Sequence, residues 1–236
     1  MKKTEQGFVI SRISYSETSF VVKIFTKNHG LKSFMVKGGA KKYASIFQAL
    51  SLIEFTYYQK NEDQLANLYE PVLQQNFQDL YFNPIKQSVL FFECEFLKQS
   101  LDEGQSDAGL YDFVLSELDY LNTHEFEANY LIYWILELSN HFGIQPQLID
   151  ENSTHFDLVN GELTFLNSMH SDSIKGDIIE KLSLFLTHTK EEQLQLHLNK
   201  EERKNLLEIL LKYFSIHIDT FKKINSFEVY QTLWYD

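Results

Sequence analysis

Residues 19–38 read SFVVKIFTKNHGLKSFMVKG, and this stretch decides the fold. In its first half every second residue is apolar, so Phe20, Val22 and Ile24 are predicted to share one face of a strand. Its second half, LKSFMVKG, is also strand-like. The connection at residues 28–30, Asn-His-Gly, favours a tight turn. The stretch is therefore predicted to form a β-hairpin.

Three further strand-like segments surround this hairpin. Residues 6–15 precede it, and residues 52–59 and 64–73 follow it. The apolar phase of the first segment shifts between Ile10 and Ile13, which indicates a β-bulge of the kind that bends a long strand. Five short strands in about 75 residues are typical of an OB-fold barrel. An SH3-like barrel is the alternative that this pattern leaves open.

The hydrophobic period changes to that of a helix after Asp79. Asn83 followed by Pro84 predicts a helix start with a side-chain cap. The apolar spacing predicts helices over 84–101, 107–121, 125–143, 171–188 and 199–218, with Asn199 as the cap of the last. Residues 144–170, between the third and fourth of these helices, break the pattern and contain Asn160-Gly161, which favours a small hairpin.

These patterns together predict an α+β chain with two domains. Residues 1–79 are predicted to form a five-stranded OB-fold β-barrel that binds nucleic acid. Residues 80–236 are predicted to form an all-α helical bundle, interrupted by a short irregular or hairpin insertion at 147–170. No internal repeat or low-complexity tract suggests a further domain.

Composition limits the class of protein. Of 236 residues, 44% are hydrophobic, which is enough to bury a core. The one cysteine, Cys94, excludes an internal disulfide and a cysteine-rich zinc site, and such usage is typical of a reducing cytoplasm. No signal-peptide pattern and no apolar run of about 18 residues occur, so a cytoplasmic location without membrane insertion is expected.

Charge is divided unevenly along the chain. Residues 1–60 hold ten Lys and Arg against three acidic residues, a net charge of +7. The remaining residues hold 11 basic against 30 acidic residues, a net charge of −19, and the whole chain carries −12. This division suggests a polyanion-facing module joined to a part that meets other partners. Alternatively, the acidic part only maintains solubility.

The basic N-terminal part contains the residue types that bind nucleic acids. Lysines neutralise phosphates and release counterions, and aromatic rings stack on unpaired bases. The predicted DNA-binding residues are Arg12, Lys23, Lys27, Lys32, Lys37, Lys41, Lys42 and Tyr43. Several lie on or beside strands, and the last three lie on a loop loosened by Gly38 and Gly39. The competing interpretation is that the aromatics are core and the lysines merely solvated.

Motifs of catalysis or metal binding are missing from the sequence. Neither a phosphate-binding P-loop nor a GxSxG nucleophile motif occurs. Cys94 lies between two glutamates on a predicted helix, which would raise the pKa of its thiol. His155, Asp157 and His170 are the remaining candidates for a site in the irregular segment. We therefore predict no enzyme, no catalytic residue, no metal and no cofactor.

The N-terminal 60 residues resemble the N-terminal domain of the RecO family of bacterial recombination mediators. The matching motifs are Tyr15-Ser16-Glu17-Thr18, Thr26 with Gly30-Leu31, Val36-Lys37-Gly38, Ser45, Ala49-Leu50 and Tyr57-Tyr58. The resemblance extends to NHFGIQP at 140–146 and to HIDTFKKINSFEVY at 217–230. One departure is the four-cysteine zinc site that many members carry, because residues 147–170 contain no cysteine. We expect a metal-free remnant there, held by packing of Phe156, Leu158, Leu163 and Phe165.

The resemblance implies a DNA repair protein of the RecF pathway that is not an enzyme. Such a protein binds single- and double-stranded DNA and anneals complementary strands. With RecR and the acidic C-terminal tail of single-stranded DNA-binding protein as partners, it helps to load RecA onto coated strands, in the cytoplasm at the nucleoid. Two other functions remain open on the residues alone, namely an OB-fold protein that binds RNA and an adaptor that binds only proteins.

Overall fold

A computed structural model describes residues 2–39, 42–59, 64–75, 77–165 and 171–235. The chain divides into two compact units. Unit 1 comprises Met1–His124 and Ile224–Trp234, and unit 2 comprises Glu125–Lys223 with the last two residues. None of the described helices is both long enough and apolar enough to cross a membrane.

Unit 1 contains a closed β-barrel followed by helices. Its described strands are β1 (Lys2–Ser14), β2 (Phe20–Thr26), β3 (Gly30–Val36), β4 (Leu52–Tyr58) and β5 (Ala66–Leu73). They close in the order β1-β2-β3-β5-β4, with β1 antiparallel to both β2 and β4. This is the five-stranded barrel predicted from the sequence, and it is an OB-fold. The predicted hairpin of residues 19–38 is confirmed as β2 and β3.

Along each strand, every second side chain points into the barrel core. Phe20, Val22 and Ile24 all point inward and are at most 1% exposed. The predicted bulge is confirmed, because the pairing of β1 with β2 shifts between Val9 and Ser11. The alternation therefore fixes which face of each strand remains for binding.

The helices of unit 1 are α1 (Gln78–Phe82), α2 (Pro84–Ser100), α3 (Ala108–Thr123) and α8 (Ser226–Tyr235). The predicted cap of α2 is confirmed, since the Asn83 side chain accepts from the N–H groups of Ile85 and Lys86 at 3.1 and 3.3 Å. Outward-facing aromatics of the barrel are covered by α3, because the Phe8 ring lies 4.9 Å from that of Tyr111. One part of the outer barrel surface is thus buried.

Unit 2 combines helices with a small sheet. Its helices are α4 (Tyr130–His141), α5 (Ile178–Thr187), α6 (Lys190–Gln195) and α7 (Lys200–His217). Asn199 forms the predicted cap of α7, in a reciprocal capping box with Glu202. The central helix is α4, which is apolar on nearly all sides and almost wholly buried.

The insertion at residues 147–170 is larger than the predicted hairpin. Its strands are β6 (Gln147–Leu148), β7 (His155–Asp157) and β8 (Glu162–Thr164), joined by β9 (Ser173–Lys175). In the described part of unit 2 they pair in the order β6-β8-β7-β9. Phe156, Leu158 and Leu163 are fully buried as expected. The expectation for Phe165 is wrong: it follows the end of β8 and is 59% exposed.

Two helices start later than predicted. The predicted start of α4 at residue 125 is wrong: the helix begins at Tyr130, and the side-chain amide of Asn129, just before it, donates to the Leu196 carbonyl at 2.8 Å. The predicted start of α5 at residue 171 is wrong because Ser173–Lys175 pair with β7, and Gly176, at φ +110°, then ends the strand. The predicted division of the chain after residue 79 stays a prediction.

Candidate nucleic-acid interface

A row of three aromatic rings lies across one end of the barrel, with a cation at each end of the row. The Arg12 guanidinium lies 4.8 Å from the centroid of the Phe20 ring. The Phe20 ring packs edge-on against Phe47 at 5.1 Å, and Phe47 packs against Tyr43 at 6.4 Å. The Lys42 ammonium lies 4.8 Å from the Tyr43 ring. The row thus brings together Arg12, Lys42 and Tyr43, three of the predicted site residues.

Tyr43 lies close to Gly39, which follows the end of β3. The Tyr43 N–H donates to the Gly39 carbonyl at 2.9 Å. A Cβ on Gly39 would lie 2.7 Å from Val36 Cγ1 and 2.8 Å from Tyr43 Cδ2, closer than such atoms approach. Gly38 has φ +66°, in the left-handed region that glycine adopts without strain. The two glycines therefore allow the turn that places Tyr43 beside Val36.

Lys37 adds a further exposed cation to Arg12 and Lys42. It is exposed and directly follows Val36, the strand partner of Phe20. Within the described residues, Arg12, Lys37 and Lys42 make no ion pair with a carboxylate. We call Arg12, Lys37, Lys42 and Tyr43 the barrel-end group. Lys41, which the sequence also predicts here, lies outside the described residues.

The predicted lysines of the β2–β3 hairpin have a different environment. Lys23 Nζ lies 2.7 Å from Glu103 Oε1, and Lys27 Nζ lies 2.9 Å from Asp112 Oδ1. Lys27 also lies 5.6 Å from the ring centroid of Tyr111. Lys23 and Lys27 therefore each form an ion pair with a carboxylate of their own chain. We call Lys23, Lys27 and Lys32 the hairpin group.

Lys32 lies on the inward side of β3, in phase with Phe34 and Val36. Its ammonium is 5.1 Å from the ring centroid of Tyr57 and 5.9 Å from that of Phe34, and it donates to Gln59 Oε1 at 3.1 Å. The half-buried stem thus covers core aromatics while the charge reaches the surface. Lys32 therefore has a packing role in addition to the predicted one.

The carboxylate partner of Lys23 is held beside the barrel by the connection between α2 and α3. Residue Glu103 bridges to Leu31, and the Gly104 N–H donates to the Leu31 carbonyl at 3.0 Å. Gly30 allows this approach: it has φ +63°, and a Cβ there would lie 1.9 Å from the Gln105 carbonyl oxygen. Residues 103–105 therefore lie along β3, and we call them the edge segment.

Tyr15 is a candidate that reasoning from the sequence missed. It begins the loop between β1 and β2 and is 72% exposed. The loop is tight, because the N–H groups of Tyr15 and Ser16 both donate to the Ser19 carbonyl at 3.0 Å. This loop contributes to oligonucleotide binding in OB-folds. A single aromatic residue in an otherwise polar loop, YSETS, is the signal that could have found it.

The described residues of the insertion, 147–165, do not group into a zinc site. Cys94 is far from it in sequence, on α2, where it donates to the Ile10 carbonyl at 3.1 Å and burial raises the pKa of its thiol to about 12. The Asp157 carboxylate accepts from the backbone N–H groups of Val159 and Asn160, which fixes a turn. His170 lies outside the described residues. Within those residues, no three His, Cys, Asp or Glu side chains are grouped to hold a metal.

Comparison with known proteins identifies the family. The model of the recombination protein O N-terminal domain matches residues 1–77, and that of its C-terminal domain matches residues 82–224. The DNA repair protein RecO of Flavobacterium psychrophilum is 28% identical, over 97% of this chain and 98% of its own. The RecO proteins of Christiangramia forsetii and Flavobacterium johnsoniae are each 27% identical, over at least 95% of both chains. The chain therefore belongs to the recombination protein O family of DNA repair proteins.

Proposed function

We propose that this protein is a non-enzymatic mediator of recombinational repair that binds single- and double-stranded DNA through its barrel. The barrel-end group carries the proposal. Among the described residues, no carboxylate forms an ion pair with its three described cations, and Tyr43 lies among them. Cations that neutralise phosphates and rings that stack on bases are the two components of single-strand binding in OB-folds.

The same chemistry supports strand annealing as the activity. Two complementary strands repel each other through their phosphates, and a cationic surface that binds both backbones reduces that repulsion. The relatives named above are DNA repair proteins. In this proposal the protein acts with RecR and the acidic tail of single-stranded DNA-binding protein, and helps to load RecA in the RecF pathway.

The proposal also assigns roles along the chain. Residues 1–79 bind DNA, and residues 80–236 provide the contacts with protein partners. Residues 147–170 stand where many family members carry a zinc-binding insertion, and here they act without a metal. The protein works in the cytoplasm, at the nucleoid.

Replacement of Lys37 and Lys42 by glutamate tests the binding site. We expect K37E/K42E to weaken binding to mixed-sequence single-stranded DNA. The slope of log affinity against log salt becomes shallower by about 0.7 for each phosphate that the variant no longer neutralises. Fluorescence anisotropy with a labelled oligonucleotide over a salt series measures both quantities, and annealing of complementary strands should slow in parallel.

The matched control is K98E/K181E, which makes the same charge change on α2 and α5. Equal weakening of binding in both variants, or none in K37E/K42E, would contradict the barrel-end assignment. A competing RNA oligonucleotide of the same sequence separates DNA from RNA as the ligand. Preference for RNA without annealing activity would replace the repair function with an RNA-binding one.

A further inference from the structure

Three apolar side chains from neighbouring strands form a row on the outer surface of the barrel. Ile13 on β1 is the register partner of Val21 on β2, and Val21 is the partner of Met35 on β3. The residues next to them, Val22 and Phe34, point into the core and are fully buried, so the row faces outward. Ile13 is 60% exposed, and Val21 and Met35 are half-buried. We call Ile13, Val21 and Met35 the outer row.

Polar and basic side chains flank the outer row on both sides. On one side Tyr15 and Lys37 directly follow the ends of β1 and β3, and both are exposed. On the other side lie three register partners of the same strands, Ser11, Lys23 and Ser33. None of these five flanking side chains is acidic. Lys23 is paired with Glu103, whereas Lys37 forms no ion pair with a described carboxylate.

A second group of exposed apolar side chains, on β4 and β5, has a different electrostatic setting. It consists of Tyr58, Tyr69 and Val72. Glu54, the register partner of Val72, and Glu70 are both exposed beside it. Carboxylates at these positions repel phosphates. The outer row is therefore the better complement to a nucleic-acid strand.

The size of the outer row also favours bases over a protein partner. The row crosses three strands, which is two inter-strand spacings or about 10 Å. A stable protein interface buries about 800 Å² on each partner, far more than three side chains provide. An OB-fold contacts about 4–16 nucleotides of a single strand, and a few of their bases are of the size of this row.

We infer that the outer row contacts unpaired bases and gives this protein a preference for single-stranded over double-stranded DNA. A single strand whose phosphates bind Arg12 and Lys37 can turn its bases onto the row, which removes apolar surface from water. The thioether of Met35 makes favourable contacts with aromatic rings. This inference rests on the proposed function and adds to it the residues that distinguish unpaired from paired strands.

Double-stranded DNA cannot use the outer row in this way. Its bases are stacked and paired inside the helix, so their faces are not free to contact apolar side chains. It binds through its phosphates, and the cations of the barrel-end group serve both forms of DNA. Loss of the row should therefore weaken the binding of one form only.

The test is I13T/V21T/M35T, which keeps side chains that favour strands and leaves every cation in place. We expect the affinity for single-stranded DNA to fall about tenfold, the effect of losing contact with a base, while the affinity for the duplex stays the same. The salt slope for single-stranded DNA should not change, because no phosphate contact is removed. Fluorescence anisotropy with a labelled oligonucleotide and its duplex measures these quantities.

A gain of affinity in I13Y provides a second test. Tyrosine favours strands and adds a ring on which a base can stack at the most exposed position of the row. I13Y should bind single-stranded DNA about fivefold more tightly and the duplex as before. Damage to the barrel would weaken binding, so it cannot produce this result.

The matched control is Y58T/Y69T/V72T, which makes the same kind of change in the apolar group of β4 and β5. An equal loss in the control, a parallel loss of duplex binding in I13T/V21T/M35T, or an unchanged preference for single strands in I13Y would overturn the inference. Wild-type DNA binding would still leave the proposed function standing. Absence of DNA binding by the wild-type protein would overturn both. Thermal denaturation verifies that each variant is folded, and I13Y decides if the triple variant is not.

Discussion

At the scale of single residues, Glu95 is a carboxylate whose hydrogen bonds stabilise the fold. Its oxygens accept from the backbone N–H groups of Asn225 and Ser226 at 3.0 and 2.8 Å, and from both of their side chains. These donors lie at the N-terminus of α8, where the helix dipole favours a negative charge. Partial burial alone would raise the pKa of Glu95, but the hydrogen bonds outweigh it and hold that pKa below its ordinary value.

We therefore predict that E95Q lowers stability by about 1 kcal/mol at neutral pH. The lowered pKa in the folded state means that the contribution is complete above the ordinary value of 4.5 and disappears as pH falls through the folded-state pKa. Urea denaturation at several pH values measures it. The control is E54Q, at an exposed glutamate on β4. A difference between wild type and E95Q that persists unchanged at low pH would be inconsistent with the assigned hydrogen bonds.

Tyr15 supplies a second prediction at this scale. Replacement by alanine should weaken single-stranded DNA binding about tenfold, the effect of removing one ring on which a base stacks. Phenylalanine should preserve affinity, because stacking needs the ring and not the hydroxyl. Since Tyr15 is 72% exposed, neither change should alter the melting temperature. Equal affinities of Y15A and wild type would show that this loop does not touch the bases.

At the scale of elements, Gly30 controls the packing of the edge segment against β3. An alanine at position 30 would have to adopt a left-handed φ of +63°, and its Cβ would clash with the Gln105 carbonyl oxygen. We expect G30A to lower the free energy of unfolding by about 2 kcal/mol or more. The control G104A has a similar backbone strain, at φ +81°, but open space around the new methyl group. Urea denaturation should therefore rank G30A below G104A, and equal stabilities would contradict the close packing.

Helices and strands were predictable from the sequence where the residues that determine them lie close together in the chain. Strand alternation marks the barrel because inner and outer faces meet different environments, and the side chains of Asn83 and Asn199 mark two helix starts by capping them. The start of α4 was not predictable, because Asn129 bonds to carbonyls 64 or more residues away. The pairing of Ser173–Lys175 with β7 overrides a helical pattern for the same reason.

At the scale of the whole molecule, net charge of a segment is a poor guide to local potential. The N-terminal 60 residues carry +7, and this excess of positive charge is the reason for proposing the barrel as the DNA-binding part. Two of the lysines counted there are neutralised by Glu103 and Asp112, which lie 80 and 85 residues further along the chain. The sequence therefore predicted the candidate residues but not their division into a barrel-end group and a hairpin group, which depends on tertiary structure.

Unit 1 is discontinuous in sequence, since it contains residues 224–234 as well as residues 1–124. On the ribosome, the barrel and the helices beside it emerge first, yet Asn225 and Ser226 reach Glu95 only after all of unit 2 has been translated. Domains generally fold in the order of synthesis, at about 5–20 residues per second. Unit 1 therefore lacks α8 for several seconds after its barrel strands have been synthesised.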